Sequence, residues 1–193
     1  MKGPGELWLP GLVHEASENA DERPGKGEVD LLVIHNISLP PGEFGGGYIQ
    51  DLFLNRLDPR AHPYFAEIAH LEVSSHLLIR RDGSALQFVA LDRRAWHAGL
   101  SSFCGRECCN DFSIGIELEG SDDTPFTPAQ YGRLAALTAE IRTLFPAIGA
   151  ERIVGHSEIA PGRKTDPGPH FDWAHYRELI AHNGRDKGHI SES

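Results

Sequence analysis

Two short apolar segments that each end near a histidine constrain the fold of this chain most. Residues 31–36 are Leu-Leu-Val-Ile-His-Asn, and residues 153–156 are Ile-Val-Gly-His. Branched apolar residues in so short a run, bounded by turn formers, are typical of strands buried inside a sheet. Because ligands of sheets with parallel strands collect outside the C-terminal strand ends, we expect His35 and His156 to meet there. The alternative is that each histidine is a hydrogen-bonded edge residue, which is the commoner role at a strand end.

The other patterns predict a mixed sheet flanked by helices. Residues 75–80 and 85–91 are two strand-like segments, and the Asp82-Gly83 pair between them supplies the positive φ of a tight hairpin. Residues 113–119 alternate strictly between apolar and other side chains, as in a strand with one core face. Residues 127–130 match a capping box, and the apolar spacing after them predicts a helix that ends before Pro146. The predicted fold class is therefore α/β in the mixed α+β sense.

The length of 193 residues favours one domain with a substantial core. Residues 1–28 are rich in glycine, proline and acidic side chains, so we expect an extended N-terminal arm. Residues 29–182 form the predicted domain, and its last helix is expected over residues 172–182. The polar residues 183–193 are predicted to be a disordered tail.

Charge and cysteine content exclude several classes of protein. Lys and Arg number 18 against 28 Asp and Glu, a net charge of -10, so the chain gains nothing from phosphate counterion release and nucleic-acid binding is not expected. No apolar run approaches the ~20 residues of a membrane span, and the first residues lack the pattern of an export signal. Cys104, Cys108 and Cys109 crowd together without the paired spacing of a structural zinc site. We expect free thiols, a cytoplasmic location and a monomer.

Asp166 is the third candidate ligand beside the two histidines. Pro167 favours an extended conformation at Asp166, and Lys164, two residues earlier, then projects to the same side. A catalytic zinc takes three protein ligands and keeps a fourth position for water. His35, His156 and Asp166 therefore predict one zinc ion per chain. On spacing alone, Asp166 could instead form an Asp-Pro turn, and Lys164 could be a solvated surface lysine.

Glu117 is the candidate general base. It lies on the polar face of the strand predicted for residues 113–119, and Gly115 leaves space on the same face. A glutamate beside a metal-bound water is the general-base arrangement of zinc hydrolases. The alternative is a strand glutamate that faces solvent and only improves solubility.

Four segments together resemble a known family. They are VIHNISLPPG at 33–42, RAWHAG at 94–99, CNDFSIGIELEG at 109–120 and GHSEIAPGRKTDPGP at 155–169. These segments are similar to those of the zinc-dependent N-acetylmuramoyl-L-alanine amidases, and within them to the cytoplasmic AmpD type, which acts on 1,6-anhydro-muropeptides during cell-wall recycling. The resemblance extends from about residue 31 to residue 173.

The resemblance implies a fold of the peptidoglycan-recognition type and a role for each matching residue. His35, His156 and Asp166 match the zinc ligands, Glu117 matches the base, and Lys164 matches the residue that stabilises the transition state. The implied reaction is hydrolysis of the amide between the lactyl group of the muramic acid and L-alanine of the stem peptide. These are the five residues that the spacing had already singled out.

Substrate contacts are expected from a second group of residues. Arg106 is the candidate for binding a stem-peptide carboxylate, because a guanidinium holds a carboxylate in bidentate fashion. Asn36, Ala95 and His97 are expected to line the cleft. Arg106 could instead be a surface residue in a flexible loop.

Two other functions remain open at this point. A non-catalytic peptidoglycan-binding module would use the same fold but can lose a metal ligand without losing its groove, whereas here every catalytic position is occupied. A periplasmic amidase for intact wall would need an export signal or a lipid anchor. We therefore favour the enzyme of muropeptide recycling.

Overall fold

A six-stranded sheet forms the centre of the structure, a computed structural model that describes residues 6–25 and 28–186, with side chains up to residue 182. The strands of the protein are β1 (Val13–His14), β2 (Ala20–Asp21), β3 (Leu31–Ile37), β4 (Leu77–Ile79), β5 (Ala85–Gln87), β6 (Arg94–Ala95), β7 (Ser102–Phe103), β8 (Arg106–Glu107), β9 (Ser113–Glu119) and β10 (Ile153–Gly155). The central sheet has the order β1-β5-β4-β9-β3-β10, and β2 with β6 and β7 with β8 form two small pairs.

Parallel pairing in the middle of the sheet brings the predicted site together. Strands β4, β9, β3 and β10 are mutually parallel, so their C-terminal ends meet at one edge, while β5 is antiparallel to β4. In this register His35 on β3 lies opposite Glu117 on β9. Paired residues of adjacent strands point to the same face, so the two side chains share one side of the sheet.

The helices cover the sheet and leave this edge open. They are α1 (Tyr48–Phe53), α2 (Phe65–Ile68), α3 (Pro128–Leu144), α4 (His156–Ile159) and α5 (Trp173–Asp186). Helices α3 and α5 bury their apolar side chains against one face of the sheet, and a hydrogen bond of 2.7 Å between Thr138 Oγ1 and Tyr176 Oη joins the two helices. Helices α1 and α2 pack on the other face around Phe53, Phe65 and Phe88.

The mixed sheet, the hairpin and the capped helix are confirmed. Strands β4 and β5 pair antiparallel, and Gly83 in their turn has a φ of +83°. Thr127 Oγ1 accepts a hydrogen bond from the Gln130 amide, and the Gln130 side chain accepts one from the Thr127 amide, each at 3.1 Å. Both features were predictable because they depend on a few neighbouring residues.

Several element boundaries differ from the predicted ones, and β4 spans Leu77–Ile79 rather than residues 75–80. Strand β5 is shorter than predicted, and Leu91 beyond it donates its amide to the carbonyl of Leu7 in the arm. His156 begins α4 rather than ending a strand, since the Glu158 side chain accepts a hydrogen bond from the Gly155 amide and caps that turn. Helix α5 continues to Asp186, so residues 183–186 of the predicted tail are helical, and residues 187–193 lie outside the described residues.

The N-terminal arm packs onto the domain. Strand β1 adds to the edge of the central sheet, and β2 pairs with β6. The mostly buried guanidinium of Arg23 donates to the carbonyls of Leu91, Asn110 and Ser113 at 2.9–3.1 Å. The described part of the arm therefore supports the loop before β9. The predicted boundary between residues 28 and 29 stays a prediction.

The cysteines are free, as the sequence predicts. Cys104 and Cys108 are free and exposed, and Cys109 is free and buried. Each helix in the described part of the chain is too short or too polar to span a bilayer.

Candidate metal centre and active site

An open cleft of about 360 Å³ lies at the C-terminal ends of β3 and β9. Its floor is polar and carries His35, Asn36, His97, Glu117, His156, Lys164 and Asp166. Its wall is largely apolar. The wall comes from the end of β3 and the loop after it, from α1 and α2, and from the segments before β4 and around β6. Its residues are Ile37, Leu39, Pro41, Leu52, Phe53, Tyr64, Ile68, Leu71, Val73 and Trp96. The cleft thus joins ionisable groups to a surface that suits an uncharged ring or chain.

Three ligand atoms converge in this floor. The Nδ1 atoms of His35 and His156 are 3.0 Å apart, and the Asp166 Oδ2 lies 3.0 Å from the first and 3.1 Å from the second. His35 comes from the end of β3, His156 from the start of α4, and Asp166 from the loop that follows α4. These three residues form the cluster in the described chain that could hold a metal ion.

The protonation states of the cluster fit a metal site. Burial lowers the pKa of His35, and Asp166 only partly opposes this, so the imidazole is neutral. Burial would raise the pKa of Asp166, but the adjacent His156 and His35 side chains outweigh this and hold the pKa below its usual range. A neutral imidazole and an ionised carboxylate are forms that bind zinc, so His35 and Asp166 match the metal predicted from sequence.

Each histidine also has a partner on its other ring nitrogen. His156 Nε2 lies 3.1 Å from the Ala98 carbonyl, which can only accept, and 3.4 Å from Arg163 Nη2, which can only donate. The shorter contact assigns the proton to Nε2 and leaves the lone pair on Nδ1. His35 Nε2 lies 2.9 Å from His97 Nδ1. Partners of this kind fix the tautomer and the ring orientation of a ligating histidine.

Glu117 is the carboxylate next to the cluster. It lies on β9, its side chain is 9 % exposed, and its Oε2 atom is buried without a hydrogen-bond partner among the described residues. Burial raises its pKa well above the usual value, and the charge of Asp166 adds to this effect while Lys164 opposes it. A carboxylate with a raised pKa and a free oxygen facing a cleft can accept and return a proton.

Lys164 supplies the positive charge of the cleft. It lies in the loop between α4 and α5, two residues before Asp166, and its backbone amide donates to the Ala160 carbonyl at 3.1 Å. The side chain is solvent-exposed, and it lines the cleft. A cation in this place can stabilise negative charge on a bound molecule.

Two of the residues predicted to contact substrate line the cleft. Asn36 and His97 do so, although the Asn36 amide already donates to Asp122 Oδ1 at 2.7 Å and to the Pro167 carbonyl at 3.0 Å. Ala95 is fully buried in β6 and is absent from the described lining of the cleft. The substrate roles of these residues stay predictions.

Arg106 is not brought into the cleft. Its Nη1 atom lies 2.8 Å from Asp30 Oδ2, and its guanidinium lies 3.7 Å from the centre of the Phe112 ring. It is absent from the residues described as lining the cleft. Its proposed contact with a stem-peptide carboxylate therefore remains a prediction without support from this geometry.

Sequence reasoning missed the apolar wall. Leu52 and Phe53 come from the six-residue helix α1, and Leu71 and Val73 from the irregular segment after α2. Elements this short carry too little periodicity to be recognised. The apolar residues clustered between 48 and 73 were the one available indication.

Comparison with known proteins gives consistent results. The sequence pattern of the N-acetylmuramoyl-L-alanine amidase family matches residues 25–169. The 1,6-anhydro-N-acetylmuramyl-L-alanine amidase AmpD of Citrobacter freundii is 59% identical over 175 residues, which is 91% of this chain and 93% of that protein.

Solved structures resemble the protein in the same way. The crystal structure of a selenomethionine AmpD derivative has 60% identity and a TM-score of 0.88, covering 90% of this chain and 96% of that one. The amidase AmiD from E. coli, solved in complex with the substrate anhydro-N-acetylmuramic acid-L-Ala-D-gamma-Glu-L-Lys, has 27% identity and a TM-score of 0.59, covering 84% of this chain and 66% of that one. The chain therefore belongs to the N-acetylmuramoyl-L-alanine amidase family.

Proposed function

We propose that this protein is a zinc-dependent amidase that cleaves 1,6-anhydro-N-acetylmuramic acid from L-alanine of the stem peptide. The observation that carries the proposal is the convergence of His35, His156 and Asp166 within 3.1 Å beside the unpartnered carboxylate of Glu117. The substrate is inferred from the relative with 59% identity, whose name specifies this amide.

The two Nδ1 atoms and the Asp166 carboxylate would hold the metal. A zinc ion bound there would lower the pKa of a coordinated water towards ~7 and polarise the carbonyl to be attacked. The chain's own contribution is to keep His35 neutral and Asp166 ionised, as the directions of their pKa shifts indicate.

Glu117 moves the proton. It accepts a proton from the water that adds to the lactyl carbonyl carbon, and it delivers that proton to the alanine nitrogen as the carbon–nitrogen bond breaks. The raised pKa of Glu117 suits both transfers, because the group must hold the proton between them. The products are a muramic acid with a free lactyl carboxylate and a peptide with a free L-alanine amine.

Lys164 stabilises the charge that develops on the carbonyl oxygen when water adds. A bound substrate covers the cleft and displaces water from the ammonium, which strengthens the electrostatic interaction. The apolar wall, with Trp96 and Tyr64 in it, is suited to the apolar surface of the bicyclic anhydro sugar. This pairing of cation and wall supports a small muropeptide as substrate.

The proposal includes a monomer that works in the cytoplasm during muropeptide recycling. The free thiols of Cys104, Cys108 and Cys109 support a reducing compartment, since exposed thiols persist where disulfides are kept reduced.

Replacement of Glu117 tests the function. Glu117→Gln is expected to bind one zinc ion per chain and to unfold at the wild-type temperature, because it keeps the shape of the side chain. Turnover of an anhydro-muropeptide, measured as released L-alanine peptide, should fall by a factor of about 10² to 10⁴, the usual contribution of a general base.

Two outcomes would contradict this proposal. Wild-type turnover in Glu117→Gln would remove Glu117 as the base. A wild-type protein that binds the muropeptide but releases no peptide would favour the non-catalytic binding module.

A further inference from the structure

A chain of partly or fully buried hydrogen bonds extends from the candidate metal ligands into the core. His35 Nε2 lies 2.9 Å from His97 Nδ1, and His97 Nε2 lies 3.1 Å from Ser113 Oγ. Ser113 Oγ in turn lies 2.6 Å from the backbone carbonyl of Cys109. The chain thus connects a candidate ligand on β3 with the short 3₁₀ turn before β9.

The direction of every bond in this chain follows from its last member. A carbonyl oxygen can only accept, so the single hydroxyl proton of Ser113 points to Cys109. Ser113 Oγ must then accept from His97, which places the His97 proton on Nε2. A neutral imidazole has one donor and one acceptor, so His97 Nδ1 accepts from His35 Nε2. His35 Nδ1 is left with its lone pair, and this is the atom 3.0 Å from His156 Nδ1 and Asp166 Oδ2.

The packing around His97 leaves its ring little room to flip and exchange the positions of its two nitrogens. The ring lies over Gly115, where a Cβ atom would be only 2.6 Å from the His97 Cγ and Nδ1 atoms. The backbone amides of His97 and Ala98 both donate to the Asn110 side chain, at 3.1 and 2.8 Å. Ser113 is fully buried. Hydrogen bonds of the His97 backbone amide and of both ring nitrogens therefore fix the position of the ring.

We propose that Ser113 and His97 are positioning residues that fix the tautomer of His35, so that its Nδ1 atom is free for the metal. His156 needs no such chain, since its Nε2 atom meets the Ala98 carbonyl directly. Among the described residues, His35 Nε2 has His97 Nδ1 and no backbone carbonyl within hydrogen-bond distance, so the Cys109 carbonyl acts on it through two side chains. This inference rests on the proposed role of His35, His156 and Asp166 as the zinc site.

Nuclear magnetic resonance of the zinc-loaded full-length protein tests the direction of the chain without any substitution. In ¹⁵N-histidine-labelled protein, two-bond proton–nitrogen correlations distinguish a protonated ring nitrogen from a bare one. His97, assigned by the loss of its signals in His97→Gln, is expected to carry its proton on Nε2 and a bare Nδ1. A His97 proton on Nδ1 would overturn the proposal.

The zinc affinity of a Ser113 variant tests whether the tautomer of His35 affects metal binding. Ser113→Ala removes the acceptor of the His97 proton, so the zinc dissociation constant, measured by competition with a chromophoric chelator, should rise about 10-fold to 100-fold, the usual effect of losing an outer-shell partner. Ser75→Ala is the matched control, because Ser75 is equally buried and its hydroxyl donates at 2.8 Å to the Gly115 carbonyl but makes no hydrogen bond to a histidine in the described structure. Its zinc affinity should equal that of the wild type.

The outcomes separate this proposal from the proposed function. A wild-type protein that binds no zinc would contradict the proposed metal site itself. If the wild type binds zinc and Ser113→Ala binds it with the same affinity, the proposed hydrogen-bond chain would be overturned and the proposed metal site would stand. An equal weakening in Ser113→Ala and Ser75→Ala would also overturn it, because the effect would then come from core packing.

Discussion

At the scale of single residues, the candidate site separates acid–base roles by environment. Asp166 lies against two histidines and stays ionised, whereas Glu117, buried and without a partner on Oε2, has a raised pKa. In the proposed mechanism, two carboxylates in one cleft serve two purposes, one as a ligand and one as a proton carrier. The charge of Lys164 opposes the effect of burial on the pKa of Glu117.

Lys164 gives the prediction that belongs to this scale. In Lys164→Met the ammonium is lost while a long side chain remains, so zinc binding and thermal stability should stay at wild-type values. The turnover number should fall by about 10² to 10³, the usual cost of removing one donor to a developing oxyanion. The measurement is kcat and KM for anhydro-muropeptide hydrolysis. A rise in KM with an unchanged kcat would show that Lys164 only binds substrate.

At the scale of elements, strand β9 carries the site on one face and the core on the other. Ile114, Ile116 and Leu118 are buried on the side of α3, while Gly115 and Glu117 face the cleft side. The same alternation that predicted the strand therefore also predicted which side carries chemistry. It did not reveal that the face with Glu117 would be almost fully buried, because His97 and the segment around it come from elsewhere in the chain.

Two glycine-to-alanine variants test how closely His97 packs on β9. Gly115→Ala places a Cβ atom 2.6 Å from the His97 ring and should displace it, weakening both zinc binding and thermal stability. Gly132→Ala is the control, since Gly132 is an exposed residue inside α3 with no neighbouring atom within 4 Å of the added Cβ. It should raise the free energy of unfolding by about 0.4–1 kcal/mol and leave zinc affinity unchanged. Equal zinc affinity in both variants would contradict the close packing of His97 on β9.

Whether a feature of the fold or site could be predicted from the sequence depends on how far apart its residues lie along the chain. The strand-end histidines and the Asp-Pro step were recognisable because each is a local pattern, and the parallel sheet brought them together. The apolar wall and the burial of Arg23 were not, because they depend on contacts between distant segments. The predicted substrate contact of Arg106 depends on the chemistry of the guanidinium alone, whereas its pairing with Asp30 depends on the position of β8 in the fold.

At the scale of the whole molecule, a protein with a net charge of -10 is proposed to bind an anionic stem peptide. Lys164 is the one Lys or Arg among the residues described as lining the cleft, so Lys164 and the proposed zinc ion would supply the positive charge that such a peptide meets. The arm that carries Arg23 supports the loop before β9. Site, sheet and arm therefore form one structural unit.

The most direct measurement of the central claim is metal-dependent release of peptide from an anhydro-muropeptide. Zinc-loaded protein, chelator-treated protein and chelated protein resupplied with zinc are compared at neutral pH, and L-alanine peptide is quantified by mass spectrometry. We expect rapid release with zinc, loss of release after chelation and recovery on adding zinc back. Release that continues at the same rate after the metal has been removed would contradict the account.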